Sequence, residues 1–218
     1  MFTDHGYAML SLNGMSTERR RYEQKVRAER RQETRRRIVE ATVRLHRDVG
    51  PARTTVAEIA RRAGVSRLTV YQHFPDEADL FSACQGRFVE LNPRPDLRAA
   101  LALTDPGARV RETLRLVYAS YRQTEAMTAK IQRDRHAIPA LNELMERTSD
   151  EQLNRTAGLL AAGFRARGKR ANQLRTLARL ALDFWTWRRL SADGLEDPDA
   201  AELMTGAITT LGGFRRKQ

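Results

Sequence analysis

The chain has 218 residues, 41% apolar and 30% charged, which excludes a fibrous or wholly disordered protein and leaves room for one large or two small domains around a real core. Its 39 Lys and Arg stand against 27 Asp and Glu, so a polyanion such as nucleic acid is the first partner class this net charge of +12 suggests. Residues up to 75 hold 16 basic and 8 acidic groups, which places two thirds of the excess charge in the first third of the chain.

Cys84, the single cysteine, excludes an intrachain disulfide and any paired-thiol metal site, and suits a reducing cytoplasm as a structural helix thiol. The opening MFTDHGYAMLSLNGM has neither a cationic start nor a long apolar run, and nowhere do about 18 apolar residues run together. A soluble cytoplasmic protein without signal peptide or membrane contact is expected. Met15 precedes a more typical polar start, so residues 1–14 read either as an extension or as a matter of start-site choice.

Apolar residues recur at three and four positions and β-branched alternation is absent, so the expected fold class is all-α, with about nine helices. Residues 1–33 read as a disordered basic arm, within which 16–33, STERRRYEQKVRAERRQE, having scarcely any apolar face, read as disordered or loosely helical. A first packed helix follows, capped by Thr34, with Ile38, Ala41, Leu45 and Val49 on one face and Gly50-Pro51 as its stop. Thr55-Val56-Ala57-Glu58 has the form of a capping box and opens a second helix to about Arg62. Gly64 stands where a left-handed turn is needed, and Ser66 caps a short third helix.

Two short helices about a Gly turn make a helix-turn-helix, with Ile59, Ala63, Val65 and Val70 closing its core and the small Ala60 permitting a close crossing. Asp76 caps a fourth helix from Glu77 to about Asn92, with Leu80, Phe81, Cys84, Phe88 and Leu91 on one face. Beyond Pro93 and Pro95, helices are expected over 96–103, 107–124, 126–134, 140–165, 172–192 and 199–214. The domains expected are the arm 1–33, a helix-turn-helix domain 34–80 with a connecting helix to about 92, and a helical domain 93–218.

In a helix-turn-helix the second helix enters the major groove, and the third helix here carries the side chains that role needs. Arg67 can read guanine and Gln72 adenine, Leu68 and Thr69 can touch thymine methyls, and Tyr71 and His73 can donate to phosphate. The competing reading is a solvated helical corner whose polar face does nothing.

Residues 34–80, and TTVAEIARRAGVSRLTVYQHFPDEADLF above all, resemble the DNA-binding domain of the TetR (tetracycline repressor) family of transcriptional regulators. The resemblance implies DNA contacts at Thr55, Arg67, Thr69, Tyr71, Gln72 and His73, beside which the reading of the residues themselves sets Ser66 and Leu68 at the same DNA-facing surface. The family often has a phosphate-binding Lys at the start of the next helix; Glu77 stands there in this chain and suits the helix dipole instead. Arg35, Arg36 and Arg37 close a run, residues 19–37, with ten basic and three acidic groups, which is able to follow a DNA backbone or enter a minor groove.

For residues 93–218 the resemblance implies a homodimer paired through the last two long helices, and a small-molecule effector that changes the separation of two DNA-reading heads on a roughly palindromic double-stranded operator. The stripes expected at that interface are Leu174, Ala178 and Ala181, and Met204, Ile208 and Leu211. The larger side chains of the middle helices, Tyr118, Tyr121, Met127, Met145, Phe184, Trp185 and Trp187, are the candidate pocket, suited to a largely hydrophobic effector, with Arg122, Arg133 or His136 able to meet an acidic group. Each of these residues has packing in its own subunit as the competing reading.

No phosphate loop, metal-ligand cluster or nucleophile elbow appears, so no enzyme, cofactor or metal is expected. Three readings remain open: a ligand-responsive dimeric repressor, a DNA-binding regulator without an effector, and a basic helical interaction module.

Overall fold

Helix α1 (Ala8–Asp48) is 41 residues long and sets the outline of the amino-terminal part. The computed structural model describes the backbone of residues 8–213 and the side chains of residues 18–213; the readings on residues 1–7 and the end of the last expected helix at Phe214 lie outside the described residues. The expected disordered arm is, from Ala8 onward, the first half of α1, and Thr34 caps nothing because the helix runs through it. Between Met15 and Val49 there is no Pro or Gly, and Arg, Glu, Gln and Ala dominate, all good helix formers. Ion pairs one turn apart add to this: Arg19 Nε to Glu23 at 3.2 Å, and Arg36 to Glu33 at 2.8 Å and to Glu40 at 3.3 Å. Only an apolar stripe is missing before Ile38, and periodicity has nothing else to detect.

Helices α2 (Val56–Ala63), α3 (Arg67–His73) and α4 (Glu77–Leu91) follow. They close a core with the second half of α1: Ile38, Val39, Ala41 and Leu45 meet Ile59, Ala60, Ala63, Val70, Phe74, Leu80 and Cys84. Met127 of α6 (Pro106–Asp134) enters the same core, so this head is packed onto the body. Leu91, expected on the buried face of α4, is exposed.

The body continues with α5 (Arg98–Leu101), α7 (Pro139–Met145), α8 (Glu151–Ala162), α9 (Gly168–Ala181), α10 (Phe184–Ala192) and α11 (Asp197–Gly212). There is no strand among the described residues, and no helix is long and apolar enough to cross a membrane. Four expected spans differ. The two segments 107–124 and 126–134 are the single helix α6. A π-helical turn at Glu146–Asp150 divides the span 140–165, and the span 172–192 breaks at Leu182-Asp183. Asp183 caps α10 by accepting from Trp185 N at 2.8 Å and Thr186 N at 3.2 Å. The carbonyls orphaned by that break accept from α6, Ala181 O from Tyr118 Oη at 2.8 Å and Leu182 O from Tyr121 Oη at 2.7 Å.

The stripes expected to join two copies are instead inside one chain. Leu174, Ala178, Ala181, Met204 and Ile208 are buried with Val110, Leu114 and Leu160, and Leu211 packs against the same cluster. Each helix gives its most apolar side to its own core, where burial contributes about 25 cal/mol per Å². Besides Pro198, Asp199 and Glu202, α11 exposes Leu203, Gly206, Ala207 and Thr210, spaced as one face, and α9 exposes Thr176 and Leu180 among its polar residues.

Candidate nucleic-acid interface and adjoining cavity

The turn between α2 and α3 is built by local chemistry. Thr55 Oγ1 accepts from Glu58 N at 3.2 Å, the first half of a capping box. The reciprocal half is absent: the Glu58 carboxylate takes Arg61 at 2.6 Å and Arg62 at 3.2 Å, bonds that hold its pKa down to about 2, Arg61's foremost. Gly64 ends α2 at φ 65°, a left-handed conformation that favours glycine. Arg37 closes the end from the side, its Nε donating to Ala63 O at 3.0 Å and its Nη2 to Ala63 O and to Gly64 O, the latter at 2.9 Å.

Ser66 then caps α3, its Oγ accepting from Thr69 N at 3.0 Å and lying 2.8 Å from Thr69 Oγ1. Val70, 1% exposed, pins the inner side of α3. A seven-residue helix pinned at one point turns the rest outward: Arg67, Leu68, Tyr71 and Gln72 are exposed, with Thr69 and His73 at the margins. Leu68 is 66% exposed and Tyr71 54%, a large apolar outlay that a solvated corner has no reason to make. Thr55 and Ser66 are also exposed, at the starts of α2 and α3, and Glu77 is exposed in the first turn of α4.

The three arginines expected beside this face have three different situations. Arg35 stacks over the Phe74 ring, Cζ 4.5 Å from its centroid, at the end of α3. Arg36 is held by Glu33 and Glu40. Arg37 is engaged by the α2 carbonyls. Burial foremost, then the charges of Arg31 and Arg35, lower the pKa of His73. An exposed helix rich in donors and acceptors, flanked by cations, can present hydrogen bonds to base edges and phosphates.

Behind the head lies a cavity of about 200 Å³, larger than the about 150 Å³ that admits benzene. Its walls come from α1 (His46), α4 (Phe81, Cys84, Gln85, Phe88), α6 (Val117, Tyr121, Met127, Ile131) and the α7–α8 region (Leu141, Leu144, Met145, Leu153). Of the candidate pocket residues, Tyr121, Met127 and Met145 line it. Tyr118, Phe184 and Trp187 do not, because they are fully buried between α6, α10 and α11, Trp187 Nε1 donating to Asp197 Oδ1 at 2.9 Å. Phe184 and Trp185 border a second, polar depression with His136, Arg135 and Asp150. Arg122 and Arg133 pair with Asp197 and Asp134 and are absent from the cavity wall.

Sequence reasoning missed His46, Phe81, Gln85, Gln132 and Gln152 as cavity residues. On α4 the spacing of Phe81, Cys84, Gln85 and Phe88 on one side was the available signal, but it reads equally as core.

Residues 38–84 match the sequence model of the bacterial regulatory proteins of the tetR family. The HTH-type transcriptional regulator AcrR of Shigella flexneri is 47% identical over 51 residues, 23% of this chain and 24% of that protein. The HTH-type transcriptional regulator TtgR of Pseudomonas putida is 49% identical over 55 residues, 25% of this chain and 26% of that protein. The match thus spans about a quarter of the length of these curated relatives. Over more of the chain the likeness is one of fold. A tetR-family transcriptional regulator from Streptomyces coelicolor superposes with a TM-score of 0.57 at 18% identity, covering 83% of this chain and 80% of that one. A TetR-like transcriptional regulator from Rhodococcus sp. RHA1 gives 0.56 at 18% identity, covering 83% and 96%.

Proposed function

We propose, from a head that is of the tetR family over residues 38–84, that this chain is a cytoplasmic DNA-binding transcriptional regulator, a homodimeric repressor of a roughly palindromic operator released by a small, largely apolar effector. The family is one of regulators and not of enzymes. Residues 34–80 form the reading head, the connecting helix runs to about 92, and residues 93–218 bind effector and partner.

The observation that carries the reading is α3, which exposes Arg67, Leu68, Tyr71 and Gln72 around a single buried anchor. Arg67 and Gln72 read base edges, Leu68 and Thr69 meet thymine methyls, and Tyr71, His73 and Thr55 hold phosphates, with Ser66 shaping the entry as cap. Two-fold symmetry sets two such helices in successive major grooves. The exposed face Leu203, Gly206, Ala207 and Thr210 of α11, with Thr176 and Leu180 of α9, supports pairing of two copies, since its small residues permit close helix approach.

The cavity supports the effector. Its walls are mainly apolar, and apart from Arg94 and His46 their polar groups are neutral amides, hydroxyls and a thiol, which suits a largely apolar ligand. One wall belongs to α1 and α4, which also form the head core, so a ligand that prefers a different spacing of α4 and α6 shifts the head with it.

Binding to a preferred duplex and to its scrambled sequence tests the division of labour on α3. Arg67→Ala and Gln72→Ala are expected to reduce discrimination by about 5-fold to about 150-fold, at about 1–3 kcal/mol per bidentate base contact. Tyr71→Phe is expected to weaken both duplexes alike. Equal losses on both duplexes for all three variants would contradict base reading by α3.

A further inference from the structure

The outer half of α1 carries a one-sided charge pattern that the reading head does not use. At about 100° per residue, Arg20, Gln24, Arg27, Arg31 and Arg35 fall within an arc of about 80°. Glu18, Glu23, Glu29 and Glu33 all fall outside it, and Glu23 and Glu33 are ion-paired there with Arg19 and Arg36. Arg20, Arg27 and Arg31 are exposed, and none of them makes an ion pair among the described residues.

This face is continuous with the end of α3. Arg35, its innermost member, stacks over Phe74, and Arg31 and Arg35 both act on His73 through their charge. From Arg35 to Arg20 the helix runs about 22 Å at 1.5 Å per residue, a length matching six or seven base pairs at about 3.4 Å each. Four guanidiniums along one exposed side repel one another, and no packed face offsets the entropy of ordering their long side chains. A polyanion with regularly spaced charges relieves both penalties, and Arg35 sets this face beside the end of α3, the helix proposed to read DNA.

We infer that the outer half of α1 is a phosphate rail: Arg20, Arg27 and Arg31, continuing from Arg35, follow the backbone of the duplex flanking the segment read by α3, independently of its sequence. The inference rests on the DNA-reading role proposed for α3 and extends the footprint beyond it. Arg36 and Arg37 lie off the rail, the one paired with Glu33 and Glu40 and the other engaged by α2.

The test compares the full chain with Arg20→Gln/Arg27→Gln/Arg31→Gln, glutamine keeping helix propensity, and with Arg19→Gln/Arg30→Gln/Arg36→Gln, which removes the same charge from other sides. Each is titrated against a preferred duplex with minimal ends and against one lengthened by about ten base pairs on each side, over a range of salt. The wild type is expected to bind the long duplex more tightly, with a steeper salt dependence. The rail variant is expected to lose that advantage, its log–log salt slope becoming shallower by about 2.7, or about 0.9 per phosphate lost. The control variant is expected to keep the advantage. Equal affinity and slope for both duplexes in the wild type, or equal losses in the two variants, would overturn the rail. Should the wild type prefer no sequence while the rail variant alone loses affinity for random duplex, the operator reading fails and the rail stands.

Discussion

His46 lies 2% exposed between the head and the cavity, 3.4 Å from Cys84 Sγ and with its ring 5.6 Å from that of Phe81. Burial foremost draws its pKa down to about 4 against the opposing charge of Asp134, while burial pushes the Cys84 thiol up to about 12. Both groups are therefore neutral at physiological pH, and the pair is packing rather than a reactive dyad. The unfolded chain takes up a proton on this histidine near pH 6.5 and the folded chain only near 4. The consequent destabilisation is absent above about pH 6.5, grows as pH falls, and reaches about 3 kcal/mol near pH 4, at about 1.4 kcal/mol per pH unit. His46→Gln is expected to be less stable than wild type at pH 7, with the gap in urea midpoint narrowing toward pH 4.5. A gap independent of pH would show that His46 is not held neutral.

At the scale of elements, the helix-turn-helix was legible because every signal in it is local. Thr55, Gly64, Ser66 and Asp76 act within three residues of their own position, and a sequence displays such chemistry directly. The outer half of α1 was not legible, because a solvated helix built on propensity and ion pairs leaves no apolar period. Arg37 shows the same limit. In sequence it is one more cation in a basic run, whereas its contacts with Ala63 O and Gly64 O lie 26 and 27 residues away. Removing them leaves the part-buried Ala63 carbonyl short of a charged donor, so Arg37→Ala is expected to lose about 1.5–3 kcal/mol of stability. Arg37→Lys restores only part, lacking the fork. If Arg37→Ala instead melts like wild type and loses only DNA affinity, the arginine is a DNA contact and this account of the turn is wrong.

At the scale of the molecule, what the sequence obscured is what several elements make together. The cavity draws walls from α1, α4, α6, α7 and α8, none of which marks a residue as wall rather than core. Three aromatic side chains, Tyr118, Phe184 and Trp187, are in the core, where each removes a large apolar area from water. The same preference hid the exposed faces of α9 and α11. The strongest stripes, through Leu174 and Ile208, close the chain's own bundle, and the weaker ones, through Leu180 and Leu203, remain exposed, where the proposed pairing would use them. A head joined to its body through Met127 and a shared cavity would give the proposed effector a contiguous route to α3.

The most direct test of the central claim is selection of the purified chain against a pool of random duplexes at about 0.15 M salt, where non-specific phosphate binding is moderate, with sequencing of what is retained. A two-fold-symmetric site is expected, its half-sites about one helical turn apart or a multiple of it. Retention that favours no sequence and vanishes as salt rises would contradict a symmetric, base-reading regulator and leave a basic helical surface.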